Sequence, residues 1–190
     1  MKKRFKQLDF PEIWVFQPQK FSDNRGLFFE NFNFLEFKEC SEFDFNIVQE
    51  NISISKKNVI RGMHFQKGCY SQSKIINVLK GKILDVILDI RPNSSNFGKW
   101  ISYYLDDKMN ESVFIPSGFA HGFQGVEKEN IICYKVDNPY NKKSEGTILW
   151  NDKDVDINWL NQHPILSVKD SQGLSFKSNF SLNNFEVKNR

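Results

Sequence analysis

The chain has 190 residues, 39% of them hydrophobic, with a mean hydropathy of −0.51; this suits one soluble globular domain with a real core and argues against a second. The net charge of +3 comes from 26 basic and 23 acidic residues scattered among one another, without the basic stripe of a nucleic-acid binder. Three cysteines, Cys40, Cys69 and Cys133, show no CxxC spacing, which speaks against a disulfide framework or a zinc site and fits a reducing compartment.

The basic N-terminus, Met1 to Phe5, has no apolar stretch behind it, and no run approaches membrane-spanning length, so a cytoplasmic location and no membrane partner are expected. Ile13 to Phe16 is a short strand candidate between the breakers Pro11 and Pro18. Asp23-Asn24-Arg25-Gly26 is a turn signal leading into the aromatic strand Leu27-Phe28-Phe29-Glu30. Residues 33–43 read as one short helix, capped by Asn33, with Phe34, Phe37 and Leu35 facing inward.

From Phe45 onward strands and turns dominate. Ile47 to Ser55 alternates apolar and polar, and Val59 to Gln66 and Lys74 to Leu79 are strands. Lys80-Gly81-Lys82 reads as a hairpin turn. Ile83 to Arg91 alternates cleanly, with Leu84, Val86, Leu88 and Ile90 on one face and Ile83, Asp85, Ile87, Asp89 and Arg91 on the other. Trp100 to Leu105, Ser112 to Ile115, Phe119 to Gln124 and Ile131 to Val136 complete a series of short, evenly spaced strands, which predicts an all-β sandwich or barrel. The irregular stretch from Asn141 is expected to wrap the barrel, with residues beyond about Phe176 loosely held.

Four stretches carry candidate chemistry. In Arg61-Gly62-Met63-His64, strict alternation puts Arg61 and His64 on opposite faces, giving a packed histidine and a surface arginine. A bulge at Gly62 would turn both toward one pocket instead. Pro116-Ser117-Gly118-Phe119-Ala120-His121 resembles the second cupin motif, whose histidine usually binds metal. The region matching the first motif, Gly68 to Lys74, has no histidine, so a 2-His-1-carboxylate site cannot be assembled and no metal is expected. His121 then reads equally as a hydrogen-bonded wall residue. Tyr134 is either a core residue with a satisfied hydroxyl or a proton donor, since a phenol stays protonated up to about pH 10. Lys169-Asp170 is an ordinary solvated charge pair unless the carboxylate is brought against His64, where it would orient the ring.

Taken together, the motifs resemble the dTDP-4-dehydrorhamnose 3,5-epimerase family. The resemblance rests on Phe21 to Glu30, Gln49 to Ser55, Arg61 to Gln66, Gly81 to Val86 with Asp89 to Arg91, Pro116 to Phe123, Tyr134, Trp150 to Asp152 and Leu166 to Asp170. It implies a cupin-type double-stranded β-helix or jelly-roll barrel with a few short helices. The expected domain is 1–190, with a core of about 20–170 and a C-terminal arm of about 171–190. It implies a nucleoside-diphosphate 4-keto-6-deoxy sugar as substrate, inversion at C3 and C5 by proton abstraction and opposite-face return, and no cofactor.

By the same resemblance His64 is the base, Asp170 its orienter, Tyr134 the acid, and Lys74 the stabiliser of the enolate oxygen. Arg25 and Arg61 are assigned to the diphosphate. Glu30, Gln49, Asn51, His121, Glu145 and Lys169 match pocket positions, and Tyr140 offers a ring for stacking. The family's active unit is a homodimer with exchanged strands, so residues near Glu30 are expected to serve the partner's site. Where the family carries a proline-containing loop, this chain has Lys67 to Ser73, made more flexible by Gly68. Competing expectations are a 3- or 5-mono-epimerase and a non-catalytic sugar-nucleotide-binding cupin.

Overall fold

The computed structural model describes residues 4–181. Strands β1 (Phe5–Gln7), β2 (Trp14–Phe16), β3 (Lys20–Asp23) and β4 (Gly26–Phe29) precede helix α1 (Phe34–Ser41). β5 (Gln49–Lys56), β6 (Ile60–Gln66), β7 (Lys74–Lys80), β8 (Lys82–Asp89) and β9 (Trp100–Asp106) follow. β10 (Ser112–Ile115), β11 (Phe119–Gly125), β12 (Glu129–Val136) and β13 (Glu145–Thr147) then lead to α2 (Val168–Ser171) and α3 (Phe176–Phe180). The strands form a sheet of order β1-β2-β10-β7-β12-β5 and a sheet of order β13-β6-β11-β8-β9, with β3-β4 as a separate ribbon. Every ladder is antiparallel. This is the expected cupin-type β barrel.

The predicted alternation of β8 explains the layering. Ile83 and Ile87 join Ile76, Val78, Val113, Phe123 and Ile132 in a core between the two sheets. Leu84, Val86, Leu88 and Ile90 belong to a second core on the outer face, covered by Val155, Ile157, Trp159 and Phe176. Both faces of the strand are therefore dry, and its carboxylates Asp85 and Asp89 must be paired. Asp89 holds Arg91 at 2.6 Å, and Arg91 reaches on to Glu12 at 2.5 Å.

Several expectations are corrected. Lys80-Gly81-Lys82 is not a hairpin, because β7 and β8 lie in different sheets. Gly81 (φ +86°) carries the chain between layers, and a Cβ there would stand 2.3 Å from the Glu129 carbonyl oxygen. In α1, Asn33 accepts from the Glu36 amide at 3.1 Å as predicted, and Phe37 is buried against Phe114 with ring centroids 4.6 Å apart. Leu35 instead points to solvent, 71% exposed, because the helix presents a single aromatic ridge to the sheet. The segment past Phe176 is also tied down within the described residues: α3 places Phe176 against Phe97 and Phe180 against Phe65. Of the expectation for the tail, residues 182–190 lie outside the described part. Among the described residues no helix is long and apolar enough to cross a membrane.

Candidate active site

Along β12 and β7 the inner face changes character. Ile132, Ile76 and Val78 are core, while Tyr134, Val136 and Lys74 line a cavity of about 400 Å³ at one end of the barrel. β5 forms another wall with an inverted pattern. Its polar residues Gln49 and Asn51 face the cavity, while Ile52 and Ile54 are 58% and 64% exposed. An apolar–polar alternation normally buries its apolar face, so the inversion marks the site from the inside.

β6 supplies the opposite wall. Arg61 pairs with Phe123 and His64 with His121, so three steps on β6 match two on β11. This is the bulge expected at Gly62, and it lets Arg61 and His64 line the same cavity. The strands can approach there only because both partners are glycine: a Cβ on Gly62 would lie 2.4 Å from the Gly122 Cα. Arg61 is steadied by its Nε donating to Ser55 Oγ at 3.0 Å.

His64 Nε2 lies 2.5 Å from Asp170 Oδ1. The two residues are 106 positions apart, and the fold joins them by tying Ile165 to the start of β6. Ile60 donates to the Ile165 carbonyl at 3.1 Å, and Ile165 donates to that of Asn58 at 2.9 Å. The short α2 follows, capped by Ser167, whose Oγ accepts from the Asp170 amide at 3.1 Å and donates to Oδ2 at 2.7 Å. Burial alone would push the Asp170 carboxyl up. The hydrogen bond and charge of His64, with Ser167 and Lys169, outweigh it and hold the group below its ordinary value. An ionised Asp170 can only accept, so Nε2–H donates to Oδ1 and Nδ1 is the nitrogen left with a lone pair to act as base.

A second pair stands beside the first, with His121 Nε2 2.6 Å from Asp85 Oδ1. Asp85 carries no exposed surface, so it is the buried carboxylate of β8 finding its partner. The sequence placed Asp85 on the same face as Ile83 and Ile87, without saying whether that face was inside and without naming the partner. The signal was a carboxylate set among Ile and Val residues in a strand, which needs a partner once the strand is buried. Among the described residues no three His, Cys, Asp or Glu side chains are grouped to hold a metal.

Across the cavity, Tyr134 and Lys74 sit on neighbouring strands of the other sheet, in the register Val136 to Lys74. Burial lowers the Lys74 ammonium from 10.5 to about 8, with Asp137 and Glu145 pulling it back up. Around the rim, Glu145 binds Lys169 Nζ at 2.8 Å and accepts from the Tyr140 hydroxyl at 3.2 Å. The Tyr140 amide donates to Gln49 Oε1 at 3.2 Å. Gln66 and Gln72 also line the cavity and were not singled out from the sequence.

Two expected residues are elsewhere. Arg25 lies in the β3-β4 ribbon, its side chain 86% exposed and paired with Asp23. Glu30 pairs with Arg4 at 3.1 Å and does not line the cavity of its own chain. The cavity thus presents a carboxylate-oriented imidazole on one wall, and a phenol and an amine on the facing wall. That arrangement suits removal of a proton from a carbon acid and its return from the other side.

Comparison with known proteins gives a consistent picture. The family model for dTDP-4-dehydrorhamnose 3,5-epimerase matches residues 7–178. A dTDP-4-dehydrorhamnose 3,5-epimerase of Shigella flexneri is 41% identical over 88% of this chain and 93% of its own length. The crystal structure of a dTDP-6-deoxy-D-glucose-3,5-epimerase from Legionella pneumophila with dTDP-4-keto-L-rhamnose superposes with a TM-score of 0.91 at 30% identity, covering 97% of this chain and 98% of that one. A 3′-monoepimerase from Streptomyces bikiniensis with dTDP-quinovose has a TM-score of 0.86 at 26% identity, covering 91% and 88%.

Proposed function

The chain belongs to the dTDP-4-dehydrorhamnose 3,5-epimerase family, and from that premise we propose a division of labour among its cavity residues. The protein is an epimerase that converts dTDP-4-dehydro-6-deoxy-D-glucose to dTDP-4-dehydro-L-rhamnose. The 4-keto group acidifies the protons on C3 and C5. His64 Nδ1 removes one, and the imidazolium formed is stabilised by Asp170. Electron density moves onto the ketone oxygen, which the Lys74 ammonium stabilises. Tyr134 returns a proton to the opposite face of the carbon. The imidazolium then gives its proton to solvent and the Tyr134 phenolate takes one up, and the reset pair repeats the sequence at the second carbon. No electrons are gained or lost overall, so the chemistry calls for no redox cofactor.

The observation that carries this reading is the 2.5 Å His64–Asp170 pair standing on the sheet that faces Tyr134 and Lys74. Arg61 binds the diphosphate, Gln49, Asn51, His121, Glu145 and Lys169 hold the sugar and nucleotide, and Tyr140 stacks on the base. The three free cysteines support a cytoplasmic setting.

We also infer a homodimer. The ribbon bearing Arg25 exposes Phe21 (54%), Leu27 (51%) and Phe28 (72%), an apolar patch that a second copy would cover. Arg25 would then reach the partner's cavity. Incubation with the 4-keto sugar nucleotide in deuterated water tests the central reading. Deuterium is expected at both C3 and C5, and its absence from both sinks the proposal. The likeness to the 3′-monoepimerase favours one alternative, for which label would enter at C3 alone.

A further inference from the structure

The loop between β6 and β7 contains one side chain directed at the reacting centre. Gln72 Oε1 accepts from Lys74 Nζ at 2.9 Å. Its Nε2 donates to the Asn138 carbonyl at 2.7 Å. A carbonyl can only accept, so the Asn138 contact fixes which end of the amide is nitrogen and turns the oxygen toward Lys74. Asn138 is itself anchored, its Nδ2 donating to the Cys69 carbonyl at 2.9 Å and the Ser71 carbonyl at 3.0 Å. The start of β7 is clamped alongside, with the Ser73 amide donating to Asp137 Oδ1 at 2.7 Å.

We propose that Gln72 is a positioning residue for catalysis: its amide oxygen, oriented by Asn138, holds the Lys74 amine on the cavity wall in its protonated form. The proposal rests on the assignment of Lys74 to the developing enolate oxygen. Lys74 needs such a partner because burial disfavours its charge and brings its pKa to about 8, close to working pH. Its attractive charges are Asp137, just beyond β12, and Glu145 on β13. Glu145 is shared with Lys169 and Tyr140, and no other hydrogen bond to Lys74 Nζ is present among the described residues. The cavity's remaining titratable and charged groups are Tyr134 beside Lys74 and Arg61, His64 and His121 on β6 and β11. All of these stay in place in the Gln72 variants, and Gln72→Met changes no charge, so a limb shift in that variant reports on the acceptor lost by Lys74.

The test is the pH dependence of kcat and KM, over roughly pH 6 to 10, for the full chain carrying Gln72→Met or Gln72→Glu. Gln72→Met removes the acceptor. Its basic limb is expected at lower pH, with kcat down roughly tenfold and KM changed less than about threefold. Gln72→Glu keeps an acceptor and adds negative charge, so its limb moves to higher pH. A purely structural role would lower activity without moving the limb in opposite directions, and unmoved limbs in both variants overturn the proposal. Asn138→Ala, which frees the amide's anchor, is expected to move the limb as Gln72→Met does but less. It serves as the deciding variant if a Gln72 substitution fails to fold. Lys74→Met is run in parallel: turnover like wild type would reject the assignment of Lys74 itself, a result distinct from unmoved limbs with Lys74 essential.

Discussion

His64 and Tyr134 carry separable tasks, and isotope exchange distinguishes them. His64→Ala is expected to abolish deuterium incorporation at both carbons. Tyr134→Phe is expected to retain exchange on the base's side of the ring and to lose inversion by about 10²- to 10⁴-fold, most visibly at C5. Wild-type inversion by Tyr134→Phe, followed by NMR, would remove the phenol from its role. Lys74 makes a thermodynamic prediction of its own. Its folded pKa of about 8 lies below the ordinary 10.5, so at neutral pH the unfolded chain holds this proton more tightly and folding works against it. Lys74→Met is therefore expected to be nearly inactive yet more stable at pH 7, by roughly 1–3 kcal/mol. The advantage should shrink as pH rises from 8 toward 10.5, because the neutral amine carries no such penalty. Urea denaturation at several pH values measures it. For Asp170 the sign is opposite. Its carboxyl is held below 3.8, so its contribution is present above that value and is lost as pH falls through the lowered one.

The β6–β11 crossing is the element on which the site depends. A Cβ at Gly122 would meet Met63 Sδ at 2.8 Å and both the Arg61 carbonyl oxygen and Gly62 Cα at 3.0 Å. Met63 is fully buried in the core, and the two β6 backbone atoms cannot move without shifting the bulge. Gly122→Ala is expected to destabilise by about 1–3 kcal/mol. It should also lower kcat/KM, because the bulge is what directs Arg61 and His64 into one cavity. Stability at wild-type level together with wild-type kinetics would show that the bulge tolerates the displacement. The inverted β5 belongs to this scale too. Its apolar–polar alternation was visible in the sequence, but alternation alone does not say which face is inside.

At the scale of the whole molecule, the single chain leaves Arg25 in solvent and an apolar ribbon uncovered. If Arg25 serves a partner's cavity, its loss and the loss of His64 should complement. Mixing inactive Arg25→Ala and His64→Ala homodimers under subunit exchange should recover up to about a quarter of wild-type activity, since half the dimers are hybrids with one of two sites intact. Sedimentation of a monomer, or no recovery after proven exchange, would argue against a shared site.

The sequence by itself determined the β class, the two faces of β8 and the capped helix, because strand alternation, capping and turn chemistry are local and leave a pattern in neighbouring residues; most of the candidate residues came only from the family resemblance. It also located the bulge at Gly62, as one of two open readings. Only the tertiary structure decided that Gly81 crosses between sheets, that Asp85 meets His121, that Gln72 addresses Lys74, and that β5 turns its polar face inward. These depend on which strands become neighbours across the barrel, and residues far apart in the chain carry no local sign of that. The same holds for the start of the site: Asp170 reaches His64 through the backbone pairing of Ile165 with Asn58 and Ile60, a contact that exists only once the barrel has closed.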